Sequence, residues 1–354
     1  RTGTLAHIVT LEGEVPSDVL LDALSRVVAE KPDDGGAHDA IIRICSRLVA
    51  DAVAPGAAGG AAALLLASIT ARKALAKDGI ARAFLQIEEA MLVEASAGTD
   101  VSRLRVALVG YHDALALWPD SLLAARGLER LAEQLVDHDA LITANRALAR
   151  LVDGASRRAA HFVRAAQLTA EEPGLLGAAL DLYEQALHED SDCEPAVQAL
   201  ARGLAAEPAR LVDRLGAALE RACKSTQIVL LGLEMGKAVL RHHEAGGASP
   251  DPSVGTAALR RVLAVAPDDA AALMLSAKLF SAQRLYSEAR DAWQRVVQAA
   301  RHFEIRVTAY FELATLYEGP LGDLARAEDS IRAILEDDES HAIALERLFQ
   351  IATK

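Results

Sequence analysis

Asparagine is almost missing from this chain: Asn145 is the only one. Aromatic residues make up 4% of the 354 residues, so a core has to be built from Ala, Leu and Val. Ala and Leu are strong helix formers, and small side chains let helices approach closely. Basic residues are in deficit, 37 against 50 acidic ones, for a net charge of −13. That argues against nucleic-acid binding, which needs clustered cations to neutralise phosphate, and leaves the excess acid to favour solubility. The three cysteines, Cys45, Cys193 and Cys223, are far apart and form no CxxC pair. An odd number at such spacing reads as buried reduced thiols, not as a zinc site or a disulfide framework.

Long apolar runs are also lacking. The stretch from Ala52 to Ala71 carries no charge, but Pro55, Gly56, Gly59 and Gly60 interrupt it, and its strongly apolar part is only Leu64-Leu65-Leu66. A transmembrane helix needs about 20 predominantly apolar residues, so no membrane span is expected. The compartment is not assigned by the sequence, with the cytoplasm as the default expectation. The chain opens on Arg1 and closes on a helical pattern, which reads as part of a longer protein. The surplus of Ala, Gly and Arg over Lys and Asn has the bias of a GC-rich bacterial coding sequence.

What is present is helical periodicity. Apolar residues recur at i, i+3, i+4 and i+7, as in Ala289, Trp293, Val296, Val297 and in Ala327, Ile331, Ile334, Leu335. No period-two alternation is sustained. Nine apolar pairs close every second helix: Val27-Val28, Ala74-Leu75, Ala114-Leu115, Ala147-Leu148, Ala186-Leu187, Ala218-Leu219, Val262-Leu263, Val296-Val297 and Ile334-Leu335. Their second members lie 32 to 47 residues apart. A small residue often stands seven positions before the pair, as at Ala107, Ala179, Ala289 and Ala327, and a larger one three before, as at Tyr111, Tyr183, Trp293 and Ile331. This is a degenerate two-helix repeat.

The segment Ala270 to Val297, with Ala277, Ala289, Trp293 and the Val296-Val297 pair, resembles a tetratricopeptide repeat. The next segment is similar, through Ala314, Tyr317, Ala327, Ile331 and Ile334, and Pro32, Pro119 and Pro267 stand where such repeats end. The resemblance divides the chain into degenerate helical repeats over 1–99 and a repeat array over 100–354, with a Gly/Ser/Pro loop at 244–254. It implies an all-α fold, a right-handed α-solenoid of antiparallel helix hairpins. It also implies a noncatalytic scaffold or adaptor that holds a partner peptide or domain in a concave groove lined by first helices. The face expected to do so carries Met274, Lys278, Ser281, Ala282, Phe311, Thr315 and Glu318. An alternative stays open: a regulatory or self-associating repeat segment of a larger multidomain protein. Relatives that grip a C-terminal carboxylate use asparagine and lysine on first helices. Asn145 falls in a second helix, so selection by apolar contact plus Arg or acid pairs is expected instead.

Candidate chemistry dissolves on inspection. "GLEMGKA" at Gly232 is one residue short of a phosphate loop and ends in Ala238. "DSDCE" at Asp190 lacks the glycine and late glutamate of a calcium loop. His242-His243-Glu244 reads as a helix end, where cationic His suits the macrodipole; His161, His302 and His341 read as standing near helix starts without local partners. The pairs Asp33-Asp34, Asp268-Asp269 and Asp337-Asp338 recur in one phase of the repeat, which marks them as helix caps and not as a catalytic dyad. No metal or cofactor is expected.

Overall fold

A computed structural model describes residues 16–51, 59–246 and 250–353. Pro55 and Gly56, which interrupt the uncharged stretch, and part of the loop expected at 244–254 lie outside the described residues. The described residues form eighteen α-helices and no strand. In chain order they are α1 Ser17–Glu30, α2 Gly35–Asp51, α3 Gly59–Leu75, α4 Gly79–Ala97, α5 Val101–Leu117, α6 Leu122–Leu135, α7 His138–Leu151, α8 Ala155–Glu171 and α9 Leu176–Glu189. They continue as α10 Glu194–Gly203, α11 Pro208–Arg221, α12 Ser225–Glu244, α13 Pro252–Val265, α14 Ala270–Ala282, α15 Tyr286–Ala299, α16 Phe303–Glu318, α17 Leu324–Asp337 and α18 Ala342–Ala352.

All nine apolar pairs fall in the last turns of odd-numbered helices, so these are the second helices of hairpins. The residue after such a helix commonly turns extended while its N–H still donates to the penultimate turn. Trp118 donates to the Ala114 carbonyl at 2.9 Å, Ala266 to Val262 and Ala300 to Val296, both at 2.8 Å. Pairs such as α4–α5, α12–α13, α14–α15 and α16–α17 pack closely, and within each of the chain's two units a hairpin packs on its neighbour. The chain divides into two compact units, 1–168 and 169–354.

The first unit is built on two apolar clusters. One centres on Leu24, Ile41 and Ile69, and the other runs through Tyr111, Leu128, Leu131 and Leu148. The second unit carries a cluster around Trp293, Leu313, Tyr317 and Ile331. A lone hairpin cannot bury both apolar faces, and stacking supplies the missing cover. Glycine and alanine set the distance of approach. A Cβ on Gly127 would lie 2.5 Å from the Tyr111 ring, and one on Gly232 would lie 2.4 Å from Val262 Cγ2. Gly232 and Gly236, the two glycines of the false phosphate loop, are where α12 lies against α13.

The acidic pairs are caps in two cases of three. Asp34 accepts from the Gly36 and Ala37 N–H groups, each at 3.1 Å, and Asp269 accepts from Ala272 at 2.8 Å. Each satisfies a free donor in the first turn of a helix. Asp338 instead ends α17, and the side chain that caps α18 is His341, whose Nδ1 accepts from the Ala344 N–H at 3.2 Å. His341 therefore has a local partner. His161 lies well inside α8 and also has one, described below. Cys45 is buried as expected, but Cys193 is half-buried and Cys223 is exposed, because Cys223 sits in the turn before α12.

Candidate first-helix contact faces

Ala272, Ala309 and Ala344 are all fully buried and put α14, α16 and α18 in one register. In that register Met274 is equivalent to Phe311, Lys278 to Thr315, and Ser281 to Glu318, so the expected face does share positions. Their surroundings differ. Met274 is half-buried and packs on the unit's core, Lys278 is exposed, and Ser281 and Ala282 are half-buried at the end of α14. On α16, Phe311 also packs on the core, with its ring centroid 5.9 Å from that of His341. The Thr315 hydroxyl donates to the Phe311 carbonyl at 2.9 Å. Glu318 accepts from Arg347 of α18 at 2.7 Å. Much of the α16 part is thus engaged by the following helix, and Lys278 and Thr315 are its exposed members.

A second face emerges in the first unit, which the sequence reading did not single out. Ile80, Phe84 and Met91 are exposed on α4, and Leu122 and Leu123 are exposed at the start of α6. Phe84 leans on Trp118, ring centroids 5.1 Å apart. Between α4 and α6 is an open cleft of about 420 Å³. Met91 and Leu123 line it together with Arg126 and Arg130, and Gly127 and Tyr111 also contribute. Gly127 is required there because any side chain would strike the Tyr111 ring.

The polar part of the cleft is an interlocked trio. Glu94 accepts from Tyr111 Oη at 2.8 Å and from Arg130 Nε and Nη2 at 2.9 and 2.6 Å. Burial, then the hydrogen bond and charge of Glu94, push the Tyr111 phenol well above its usual range. Arg126 pairs with Glu129 at 2.8 Å. A fork-to-fork guanidinium–carboxylate bond is a rigid fixture, and these groups hold α4, α5 and α6 in place.

Five ion pairs between like helices of successive hairpins share one order. The carboxylate is on the earlier helix and the arginine on the later in Glu94–Arg130, Glu133–Arg164, Asp181–Arg214, Glu220–Arg261 and Glu318–Arg347, at 2.6, 2.6, 2.8, 3.2 and 2.7 Å. The single asparagine has a comparable role. Asn145, fully buried on α7, donates to the Leu141 carbonyl at 2.9 Å and meets His161 Nδ1 of α8 at 2.8 Å. With its amide nitrogen committed to Leu141, the Asn145 oxygen accepts, so His161 carries its proton on Nδ1. Burial holds the His161 pKa below its ordinary value against the opposing pull of Glu129.

Burial also pushes the Cys45 and Cys193 thiols up, which lowers their thiolate content and with it their reactivity. Among the described residues no three of His, Cys, Asp and Glu converge as a metal set, and no helix is long and apolar enough to cross a membrane. The segment after Asp190 is a turn between α9 and α10, with Asp190 accepting from the Asp192 N–H at 3.0 Å.

No protein-family model matches the chain. No curated protein matches it either. Among solved structures, the C-terminal part of a TPR repeat-containing protein from Cytophaga hutchinsonii is similar at 14% identity, covering 74% of this chain and 99% of that one, with a TM-score of 0.43. YrrB, described as a TPR protein with an unusual peptide-binding site, matches at 17% identity over 53% of this chain and 90% of its own, with a TM-score of 0.37. A thermophilic TPR protein of Thermus thermophilus matches at 20% identity over 55% of this chain and 100% of its own, with a TM-score of 0.33. All three are tetratricopeptide-repeat proteins, and at these TM-scores none carries an argument about this one. The chain's own hairpin order, closing pairs and shared first-helix register give it a TPR-like all-α fold of antiparallel helix hairpins.

Proposed function

We propose that the chain is a noncatalytic interaction scaffold, and that the first-helix face of α4 and α6 holds a segment of a partner protein. One observation carries the reading. Met91 and Leu123 line the cleft, and Ile80, Phe84 and Leu122 are exposed on the same two helices, α4 and α6. Grouped apolar side chains on a soluble surface mark contact sites, whereas scattered ones do not. A partner segment would insert an apolar side chain between Met91 and Leu123 and set an acidic group beside Arg126 and Arg130. The Glu94 bonds use Nε and Nη2 of Arg130, and Nη1 keeps donors for a second carboxylate. The α14–α16 face, with Lys278 and Thr315 exposed, is proposed as a separate and more polar surface.

A photo-crosslinking residue in place of Leu123, in cells of the native host, would covalently capture the occupant. The purified partner is then titrated calorimetrically against wild-type chain and against Met91→Glu and Leu123→Glu. Affinity should fall at least about tenfold, the loss expected for an anchor worth ~1.4 kcal/mol. Unchanged affinity in both variants refutes the groove, and turnover of the partner by the chain refutes the noncatalytic reading.

A further inference from the structure

The second unit carries two grooves at equivalent places in successive repeats, and they differ in how their polar groups are used. The first lies between α13 and α15, over α14, and holds about 490 Å³. The second lies between α15 and α17, over α16, and holds about 560 Å³. With Ala272 aligned on Ala309, and the closing pairs aligned on one another, Ser276 corresponds to Leu313 and Phe280 to Tyr317. Arg260 corresponds to Gln294, and Glu288 to Arg326.

In the second groove these side chains engage one another. Gln294 Nε2 donates to Tyr317 Oη at 3.1 Å. Arg326 lies over the Tyr317 ring, 5.9 Å from its centroid, and pairs with Asp323 at 3.4 Å. The first groove has no such bridge. Phe280 has no hydroxyl to accept a bond, and among the described residues Arg260 has no hydrogen-bond or ion-pair partner. Ser276 is 3% exposed and lines the groove, and its hydroxyl likewise has no partner among the described residues. Other helical hydroxyls turn back onto their own helix: Ser25, Thr308, Thr315 and Ser330 each donate to the carbonyl four residues earlier. A buried hydroxyl without a bond costs free energy, which a bound polar group recovers.

The rest of the lining defines that group. Leu263, Leu273 and Phe280 give an apolar floor. Leu273, Ser276 and Phe280 stand at i, i+3 and i+7 on one stripe of α14, so the hydroxyl is set between two apolar side chains. At the rim Arg260 is free, and Arg295 has given one donor, at Nη2, to the Pro267 carbonyl at 2.7 Å. Asp291 is held by Nε and Nη2 of Arg290 at 2.8 and 2.6 Å. That leaves Glu288 as the free carboxylate of the rim against two guanidinium groups with donors to spare. The balance favours an anion.

We propose that this groove binds a small apolar carboxylate. Its hydrocarbon body lies on Leu273 and Phe280, and its carboxylate accepts from Ser276 Oγ and from the Arg260 guanidinium. The volume is in the range of small-ligand sites. The site is distinct from the α4–α6 cleft and does not depend on what that cleft holds.

Saturation-transfer NMR with phenylbutyrate, titrated to about 5 mM, a range suited to a ligand of about twelve heavy atoms, tests this. Wild type should saturate. Phenylbutyramide keeps the body without the charge and should bind about tenfold more weakly. Arg260→Gln installs the residue of the second groove at an exposed position, so it should fold normally and lose about as much. Ser276→Leu copies Leu313, fills the floor and should abolish binding. Leu123→Glu, in the α4–α6 cleft, should bind phenylbutyrate like wild type. A wild-type chain that does not saturate overturns the proposal. So does equal affinity for acid and amide, binding kept in both Arg260→Gln and Ser276→Leu, or binding lost in Leu123→Glu.

Discussion

Gly232→Ala should destabilise the second unit, although alanine is the better helix former. The substitution falls within α12, where replacing glycine by alanine gains about 0.5–1 kcal/mol through the unfolded chain. Against this, the new Cβ would lie 2.4 Å from Val262 Cγ2 and 3.2 Å from the Ala258 carbonyl oxygen. Carbon atoms prefer separations of about 3.5–4.0 Å, so the gap at Val262 must open by about 1 Å. Val262 is fully buried and, as a β-branched residue in a helix, has essentially one rotamer. It cannot swing aside. Either α12 and α13 separate or Val262 leaves its well, and overpacking of this kind costs about 1–3 kcal/mol, with ~0.5–1.5 for an off-rotamer side chain. The net expectation is a loss of about 1–2 kcal/mol. Urea unfolding followed by circular dichroism reads this as a lower midpoint. The decisive assay is the double-mutant cycle with Val262→Ala, which removes the obstructing methyls. The pair should be less destabilised than the sum of the single variants by more than ~0.5 kcal/mol. Gly216→Ala is the control: its Cβ would meet only the tip of Met235, at 3.7 Å, so it should raise stability by ~0.5–1 kcal/mol. A stabilising Gly232→Ala, or additive energies in the cycle, would refute the close-packing argument.

Two further outcomes follow from the caps and the buried polar pair. Asp269→Ala removes the acceptor for the Ala272 N–H and should cost about 0.5–2 kcal/mol, whereas Asp268→Ala, next to it, should stay within ~0.5 kcal/mol; equal effects would contradict the capping role of Asp269. His161 is held below its ordinary pKa by burial, so the unfolded chain takes up its proton first as pH falls below the unfolded value of about 6.5. The stability this neutral ring contributes is present above that value and lost as pH falls through the folded pKa. Urea midpoints at about pH 7.5 and 5.5 should therefore drop more for wild type than for His161→Gln, and identical drops would contradict the burial argument.

The architecture was legible because it rests on local rules repeated many times. Closing pairs such as Ala114-Leu115 and Val296-Val297 mark the second helices by periodicity alone, and prolines at 32, 119 and 267 mark the turns. Capping was partly legible. Asp34 and Asp269 are caps, but the phase argument assigned the same role to Asp337-Asp338, which fall at the start of an equally long turn, so that His341, at its end, takes the capping place. Partner choice within the fold was least legible. Asn145 and His161 are 16 residues apart and on different helices, and sequence spacing gives no sign that they meet.

The contact faces show why. A first helix of a stacked hairpin needs one apolar stripe to pack, and α4 carries a second, exposed one beside it. On α4 the buried stripe is Ala83, Ile87, Ala90 and Ala97, and the exposed Ile80, Phe84 and Met91 run alongside it. In sequence the two stripes merge into one broadly apolar helix, and the weak repeat pattern before residue 100 offers no register by which to separate them. On α16 the reverse happens. Phe311 and Glu318 look like groove residues by position, yet His341 and Arg347 of α18 engage them. What decides whether a first-helix residue is free is the residue its neighbour places beside it one repeat later, and that depends on the hairpin register.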